Sequence, residues 1–211
     1  MNAARRRILV QFAHPVLERS QVNRPLLETV RRVDGVTVND LFVEYPTLSI
    51  DVEREQRLLL EHDVIVFHHP FYWYSTPAIL KQWQDMVLEH GWAYGPGGTQ
   101  LTGKITFNLV TTGGPASAYA REGYNRFTVR ELLAPWEQTA NLCHMRFLAP
   151  YVAHGSLRPV AEIGIDGHRA NYRDLVEALR DGRLDLERAA AAQQLVELIP
   201  IEGDISTEVS A

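Results

Sequence analysis

Short apolar runs alternate along the chain with stretches of amphipathic helical spacing, and this alternation restricts the possible fold more than any other feature. The clearest apolar runs lie at 8–12, 64–67 and 105–110. Runs without regular polar alternation are typical of strands that are buried on both faces of a parallel sheet. Repetition of strand, loop and helix therefore predicts an α/β fold.

The pattern places five strands, with helices between them. Pro77 favours the start of a helix, because its missing N–H is not needed in a first turn. We predict a three-layer sandwich, in which helices cover both faces of a five-stranded parallel sheet of order 2-1-3-4-5. The other predicted strands are 36–41 and 147–153, and the predicted helices are 22–33, 52–62, 77–88, 128–142, 171–180 and 184–199.

Composition divides the chain into three segments. Residues 1–182 carry the alternating pattern and form the predicted α/β domain, and 183–200 add one helix. Residues 201–211 are polar and acidic, so we expect a disordered, solvated tail. A chain of 211 residues is long enough for one domain with a full core.

The charge balance and the cysteine count exclude several classes of protein. The net charge is −5 and no basic stripe is present, so nucleic acid is not an expected partner. The single cysteine, Cys143, cannot form an intrachain disulfide, as suits a reducing compartment. Residues 5–10 are too short for a signal peptide, and no apolar run reaches the length of a membrane span. The sequence predicts a cytoplasmic protein.

The loop after the first strand has the composition of an anion site. His14 lies within it, and Ser20, Gln21, Val22 and Asn23 stand where the next helix starts. Free backbone N–H groups and the helix dipole favour a phosphate there, to which a hydroxyl, an amide and an imidazole also donate. The alternative is that Ser20 only caps the helix, which is the better explanation of that residue alone.

Aromatic residues crowd the loop after the third strand. This loop reads Pro70, Phe71, Tyr72, Trp73 and Tyr74. Four aromatic side chains in a row are too many to bury on one side of a short loop, and they suit a planar ligand that needs an aromatic wall. A packed corner or a subunit contact explains the loop equally well.

The loop after the fourth strand contains Thr111, Thr112, Gly113 and Gly114. Paired glycines let the backbone come close to a ligand, and their N–H groups serve carbonyl or ring-nitrogen acceptors. In the predicted strand order, the three loops flank one crevice, with a phosphate at one end and a flat ring at the other. That arrangement fits FMN.

We expect no metal site. The adjacent His68 and His69 would point to opposite faces of a strand, so they would not chelate one ion together. The sequence also contains no HExxH motif and no carboxylate cluster of the kind that holds a metal.

Five motifs occur along the chain in an order and spacing that resemble one family: His14-Pro15 with Ser20 and Asn23, HPFYWYSTPAILKQWQD (69–85), HGWAYGPGG (90–98), GK (103–104) and TTGG (111–114). They resemble the NAD(P)H:quinone oxidoreductase family of flavodoxin-like fold. The closest branch is bacterial and contains the ancillary flavoproteins of glutathione-regulated potassium-efflux antiporters and the related modulators of drug activity. The resemblance covers roughly residues 7–180.

The resemblance implies roles for the three loops. His14 and 20–23 would hold the flavin phosphate, 70–74 the isoalloxazine ring and ribityl chain, and 111–114 the polar edge of the ring. The N–H groups of the two glycines would stabilise negative charge on the ring, and Tyr119, which matches a family tyrosine near the flavin, would add a hydrogen bond. Mammalian quinone reductases carry a histidine where this chain has Asn125, so this position offers no histidine-assisted charge relay.

The resemblance implies a flavin-dependent NAD(P)H:quinone oxidoreductase. NADPH or NADH would reduce the flavin by hydride transfer, and a quinone would then accept two electrons. FMN is expected, with FAD as the alternative, because no separate adenine site can be identified. A homodimer is also implied. The helix at 77–88 is a candidate dimer face, and Trp92 and Tyr94 would reach the site from a nearby loop or from the other subunit.

Two other functions stay open at this point. One is a flavin-binding regulatory subunit of a potassium-efflux antiporter, which would bring the protein to the inner membrane as a peripheral partner. The other is a one-electron carrier like flavodoxin, although the aromatic loop favours a covered pocket over an exposed ring edge. We expect the double change of Ser20 and Asn23 to Ala to weaken flavin binding and to leave the fold largely intact.

Overall fold

The computed structural model of the protein describes residues 5–156 and 163–199. Its strands pair in the order β2-β1-β3-β4-β5, all parallel, and β6 also pairs with β4. This confirms the predicted fold class and strand order. The strands are β1 (Ile8–Phe12), β2 (Val36–Asp40), β3 (Val64–Pro70), β4 (Ile105–Thr111), β5 (Arg146–Phe147) and β6 (Tyr151–Ala153).

Helices cover both faces of the sheet. Val10 and Phe12 of β1 face α1 and α7, whereas Leu9 of β1 and Phe67 of β3 face α3, α4 and α6. Alternate strand residues therefore feed two separate apolar cores, as a sheet buried on both faces requires. The helices are α1 (Asn23–Val30), α2 (Leu41–Glu44), α3 (Val52–Glu61), α4 (Ala78–Val87), α5 (Val129–Leu132), α6 (Ala134–Leu142), α7 (Gly164–Asp181) and α8 (Leu186–Ala191).

The prediction of one continuous fifth strand at 147–153 is wrong. β5 and β6 both pair with β4, and the Leu148 N–H still donates to the Thr106 carbonyl at 2.9 Å, but the pairing is interrupted at Ala149 and Pro150. Pro150 has no N–H to donate to a strand partner, and the Ala149 N–H donates to the carbonyl of Ala189 in α8 at 2.9 Å. The chain is thus diverted towards the C-terminal segment at Ala149 and Pro150.

Several helix predictions need correction. The predicted helix at 128–142 is interrupted at Leu133, and α7 begins at Gly164, well before the predicted start at 171. The C-terminal helix at 184–199 is instead α8 followed by a 3₁₀ turn at Leu195–Leu198, and the first helix starts at Asn23, not near residue 21. The predicted acidic tail at 201–211 lies outside the described residues.

The C-terminal segment is part of the core. Ala189 and Leu195 are fully buried, and the Leu195 N–H donates to the Pro150 carbonyl at 2.9 Å. The Arg130 guanidinium donates to two carbonyls at the end of α8, those of Ala190 and Ala192. Residues 183–199 therefore close one end of the sheet and do not form a detached appendage.

A buried carboxylate joins the first two strands to the helices on one face. Glu55 in α3 is fully buried. A carboxylate without water needs several donors, and this one has them. The side chains that donate to it, at 2.6–3.0 Å, are Gln11, Asn39, Tyr45, Arg54 and Trp83.

Among residues 5–156 and 163–199, none of the helices is both long enough and apolar enough to cross a membrane.

Candidate functional site

The carboxyl ends of four neighbouring strands meet at one edge of the sheet. Backbone hydrogen bonds continue beyond the strands, from Ala13 N–H to His68 at 3.0 Å, from Phe71 N–H to Thr111 at 2.8 Å and from Thr112 N–H to the last residue of β6 at 3.0 Å. The loops that follow β1, β3 and β4 therefore lie side by side, as the strand order predicts. They are called here the anion turn (14–23), the aromatic loop (70–74) and the glycine loop (111–114).

Ser20 and Asn23 organise the turn before α1. Ser20 Oγ accepts hydrogen bonds from the backbone N–H of Asn23 at 2.9 Å and from its side-chain amide at 3.1 Å. Both lone pairs of the hydroxyl are used in this way, which leaves its single hydrogen to point elsewhere. The Ser20 hydroxyl thus satisfies the first N–H of α1 and keeps its own hydrogen free to donate, so the two explanations of this residue are compatible.

Further donors face outward from the same turn. Within the part of the chain that the structure describes, neither the Gln21 N–H nor the Val22 N–H donates to a protein acceptor. His14 Nδ1 accepts from the Val16 N–H at 3.2 Å, so a neutral His14 carries its proton on Nε2. Burial lowers the pKa of His14, and Glu18 opposes that shift.

Asn23 has a role inside the protein that the sequence did not predict. Its side chain is buried, and the amide donates to Thr111 Oγ1 at 2.9 Å as well as to Ser20. The amide hydrogens are therefore used to join the anion turn to the end of β4. The change of Asn23 to Ala would leave the buried Thr111 hydroxyl without this partner, so it should destabilise the fold.

The aromatic loop is a tight hairpin. Tyr72 and Ser75 exchange two backbone hydrogen bonds, of 3.1 and 2.9 Å. The two residues between them, Trp73 and Tyr74, have φ values of 50° and 61°. Left-handed backbone at both central positions is the pattern of a type I′ turn, which asparagine and glycine usually occupy. The fold thus holds two aromatic residues in a conformation that costs free energy, a pattern that concentrates at functional sites.

The hairpin presents its aromatic rings to the outside. Trp73 is 94% exposed, and Tyr72 and Tyr74 are also exposed, whereas Phe71 is buried beneath them. The Tyr74 hydroxyl donates to Asn125 Oδ1 at 3.1 Å. Asn125 therefore positions an aromatic side chain of the hairpin.

The glycine loop carries free donors. Thr111 and Thr112 are buried, and Gly113 and Gly114 are partly exposed. In the described part of the chain, neither glycine N–H donates to a protein acceptor. The loop thus offers two backbone donors beside the aromatic hairpin.

Tyr119 lies over this loop. Its ring centroid is 6.2 Å from that of Phe71 and 5.6 Å from that of His154. Burial raises the pKa of the Tyr119 hydroxyl, the nearby Tyr74 adds to the rise, and the nearby Thr112 opposes it. Tyr119 is therefore protonated at neutral pH and available as a donor.

The remaining residues that the sequence singled out are two adjacent histidines and two aromatic residues after α4. His68 and His69 are both buried and face opposite sides of the sheet, towards Tyr172 and Trp136 respectively. Trp92 and Tyr94 pack partly against the core beside α4. In the described residues, no group of three or more His, Cys, Asp or Glu side chains is arranged to hold a metal.

His154, which immediately follows β6, is a residue of this site that the sequence pattern did not indicate. Its Nδ1 lies 3.0 Å from Thr112 Oγ1, and its ring contacts Tyr119. The same positional rule that selected the other three loops, residues just after a strand, would have found it. The wrong fifth-strand boundaries did not prevent this, because the predicted strand also ends at residue 153.

A flavin mononucleotide fits this set of donors. The turn at 20–23 offers a hydroxyl and two backbone N–H groups at a helix start, where a phosphate binds well. After the next two strands of the sheet, β3 and β4, the aromatic hairpin and the glycine loop offer flat apolar faces and donors of the kind a ring system needs.

The comparisons with known proteins agree with this geometry. A family model described as "flavodoxin-like fold" matches residues 6–176, and the chain belongs to that family. Among curated relatives, the glutathione-regulated potassium-efflux system ancillary protein KefG of Serratia proteamaculans (strain 568) is 44% identical over 168 residues. The match covers 80% of this chain and 91% of that protein.

Two solved structures are similar in both sequence and fold. General stress protein 14 of Treponema denticola, in complex with FMN, has a TM-score of 0.77 and 36% identity, covering 82% of this chain and 99% of that chain. An NADPH-quinone reductase from P. pentosaceus has a TM-score of 0.72 and 32% identity, covering 81% and 97%.

Proposed function

We propose that this protein is a flavin-dependent NAD(P)H oxidoreductase that passes two electrons to a quinone or a similar flat acceptor. The observation that carries the proposal is the meeting of three loops that offer unpartnered donors and exposed aromatic rings at one edge of the sheet. When bound, the flavin supplies the hydride chemistry, and the protein supplies binding, orientation and electrostatics.

At one end of the site, the turn at 20–23 binds the phosphate. The Ser20 hydroxyl and the N–H groups of Gln21 and Val22 donate to it, and His14 donates from Nε2. Asn23 holds the turn in place through Thr111. The helix dipole of α1 adds attraction for the negative charge.

At the other end, the glycine loop and the hairpin bind the ring. The Gly113 and Gly114 N–H groups donate to its polar edge and stabilise negative charge there. The Tyr119 hydroxyl stays protonated and adds a donor, while Pro70, Phe71 and the three exposed residues of the hairpin form the apolar wall and exclude water. The residues nearest to the chemistry are thus Gly113, Gly114 and Tyr119.

Similarity supports the choice of cofactor and donor. The T. denticola neighbour is in complex with FMN, and the P. pentosaceus neighbour is an NADPH-quinone reductase. We therefore favour FMN over FAD and NADPH over NADH.

An anaerobic stopped-flow experiment on the FMN-loaded protein tests this proposal. We expect NADPH to bleach the flavin absorbance rapidly and a short-chain quinone to restore it. The Ser20→Ala variant is the matched comparison, because it removes one phosphate donor while the ring end stays unchanged. A bound flavin that neither NADPH nor NADH bleaches at a useful rate would rule out the reductase.

We also propose that two copies associate through the aromatic rim of the site. Trp73 is 94% and Tyr124 is 89% exposed, and the Tyr74–Asn125 hydrogen bond joins the two loops that carry them. Large exposed aromatic side chains that cluster in this way are typical of interfaces. Sedimentation analysis of the wild type and of Tyr124→Ser checks this, with a dimer for the former and a weaker dimer for the latter expected.

A second candidate function is favoured by one specific observation, the 44% identity to a potassium-efflux system ancillary protein over 91% of its length. In this role the chain would bind a glutathione-regulated potassium-efflux antiporter and modulate it. Copurification of the tagged full-length chain with such an antiporter, compared with an unrelated flavodoxin-like protein, tests this role. Failure to copurify at low salt would count against it.

A further inference from the structure

The segment 154–156, which follows β6, is hydrogen-bonded to the glycine loop. The Gly155 N–H donates to the Gly114 carbonyl at 2.9 Å, and the Ser156 N–H donates to the Thr112 carbonyl at 2.8 Å. His154 Nδ1 lies 3.0 Å from Thr112 Oγ1. Three consecutive residues thus contact the loop.

The direction of the His154 hydrogen bond follows from the other bond of Thr112. The Thr112 hydroxyl donates to the Gly114 carbonyl at 2.9 Å, and a carbonyl can only accept. A hydroxyl has one hydrogen, so the bond with His154 must be donated by the imidazole Nδ1–H. His154 is therefore the neutral tautomer with its proton on Nδ1. Burial, with a smaller contribution from His168, lowers the pKa of His154 to about 4, which agrees with a neutral ring.

These bonds fix the direction of a catalytic N–H. The Thr112 carbonyl and the Gly113 N–H belong to one planar trans peptide, so they point in opposite directions. Because the carbonyl is held by Ser156, the Gly113 N–H is turned away from the segment 154–156. The Gly114 carbonyl is held by both Gly155 and the Thr112 hydroxyl, so the peptide on the other side of the glycines is fixed as well.

We propose that His154 is a positioning residue, which donates from Nδ1 to Thr112 and thereby holds the glycine loop and Tyr119 in the arrangement that binds the flavin ring. Its ring contacts Tyr119 at a centroid distance of 5.6 Å, so it supports that side chain directly. The inference rests on the proposed function in placing a flavin ring at this loop.

The C-terminal segment supports His154 from behind. Gln194 Nε2 lies 3.5 Å from His154 Nε2, which carries the free lone pair in this tautomer. That distance is long for a hydrogen bond, so we assign it the weaker role of packing. Gln194 lies beyond residues 6–176, the part of the chain that the family model matches.

Two substitutions separate positioning from simple packing. In His154→Asn the side-chain amide nitrogen occupies nearly the place of Nδ1 and still donates to Thr112, whereas His154→Ala removes the donor. His144→Asn is a matched control, because His144 is exposed, lines a groove with Ile105 at the amino end of β4, and has a φ of 57° that asparagine tolerates.

Fluorescence titration of FMN into the three variants gives the first result. We expect His154→Ala to bind FMN about threefold to tenfold more weakly, the usual effect of one lost hydrogen bond, and to shift the reduction potential of the bound flavin. His154→Asn and His144→Asn should stay within about twofold of the wild type. Equal affinity and potential in His154→Ala and wild type would overturn the inference, and so would an equal loss in His154→Asn.

A measurement without flavin keeps this test apart from the proposed function. In ¹⁵N-labelled, flavin-free protein, the Gly113 amide resonance should move in His154→Ala and return towards the wild-type position in His154→Asn. If NADPH does not reduce the wild-type holoprotein, the proposed function fails, yet this amide shift still decides the role of His154. An unchanged Gly113 resonance in His154→Ala would refute it.

Discussion

The Asn23 side-chain amide donates to Thr111 Oγ1 at 2.9 Å, although 88 residues separate the two in the chain. The bond joins the turn that precedes α1 to the last residue of β4. Both side chains are buried. The proposed phosphate site and the proposed ring site are therefore held at a fixed separation by a hydrogen bond inside the protein.

Changing Asn23 to Ala should destabilise the fold by about 1–3 kcal/mol, because it leaves the buried Thr111 hydroxyl without its partner. Urea unfolding of the flavin-free protein measures this. The double variant Asn23→Ala, Thr111→Val should recover part of the loss, because valine removes the unsatisfied hydroxyl at similar size. Additive losses in the double variant would show that the two side chains do not depend on each other.

The fold was predictable because each central strand is a continuous apolar run between helices of clear period. The first residues of β1, β3 and β4 agree with the predicted strand starts. The order of the strands follows from the handedness of parallel connections. The prediction of one continuous fifth strand failed because the Ala149 N–H bonds to Ala189 in α8, a residue that lies 40 positions further along the chain. Local periodicity contains no information about such a partner.

The position of the site was predictable from the sequence, but its internal hydrogen bonds and backbone conformations were not. Residues after strand ends converge in any parallel sheet, so the loops at Ser20, Trp73 and Gly113 could be selected without coordinates. That Asn23 turns inward, and that Trp73 adopts a left-handed backbone, depends on tertiary contacts. Polar side chains at a helix start look alike in sequence whether they face a ligand or the core.

Replacing Trp73 with Asn and Tyr74 with Gly should stabilise the protein by about 1–2 kcal/mol and weaken FMN binding. The gain comes from placing the residues that a type I′ turn prefers at two positions with positive φ, and the loss from removing aromatic contacts. Thermal unfolding and FMN titration give the two results. Leu48→Gly is the control, because Leu48 has a φ of 62° outside the three loops and should gain stability without losing FMN.

The Gly114→Ala variant tests how closely a ligand approaches the glycine loop. A Cβ added at Gly114 would lie 3.5 Å from Tyr119 Cε2, an ordinary contact, and the φ is not left-handed. We expect stability within about 1 kcal/mol of the wild type, with a slight gain from reduced chain entropy. FMN binding should fall about tenfold or more, since the added methyl group would stand beside Tyr119, where the ring is proposed to bind. Unchanged FMN affinity would place the ring away from Gly114.

Buried histidines should make the fold lose stability as the pH falls from about 6.5 towards 4. Burial lowers the pKa of His69 to about 4, partly opposed by its bond to the Pro70 carbonyl, and lowers that of His68 as well. Because the unfolded chain then binds protons first, the stabilising effect is complete above pH 6.5 and is lost as the pH falls towards 4. Asp40 acts in the opposite direction, since burial raises the pKa of its carboxyl.

Urea unfolding at pH 7.5 and at pH 4.5 measures this loss. The shift of His69 alone corresponds to about 3 kcal/mol when the full interval has been crossed, and most of that should be visible at the lower pH. A His69→Asn variant is less stable at pH 7.5 but should lose less between the two values, because asparagine does not titrate. His144→Asn, which changes an exposed histidine, should keep the wild-type difference. If the wild type and His69→Asn lose the same free energy, His69 is not the group that protonates on acid unfolding.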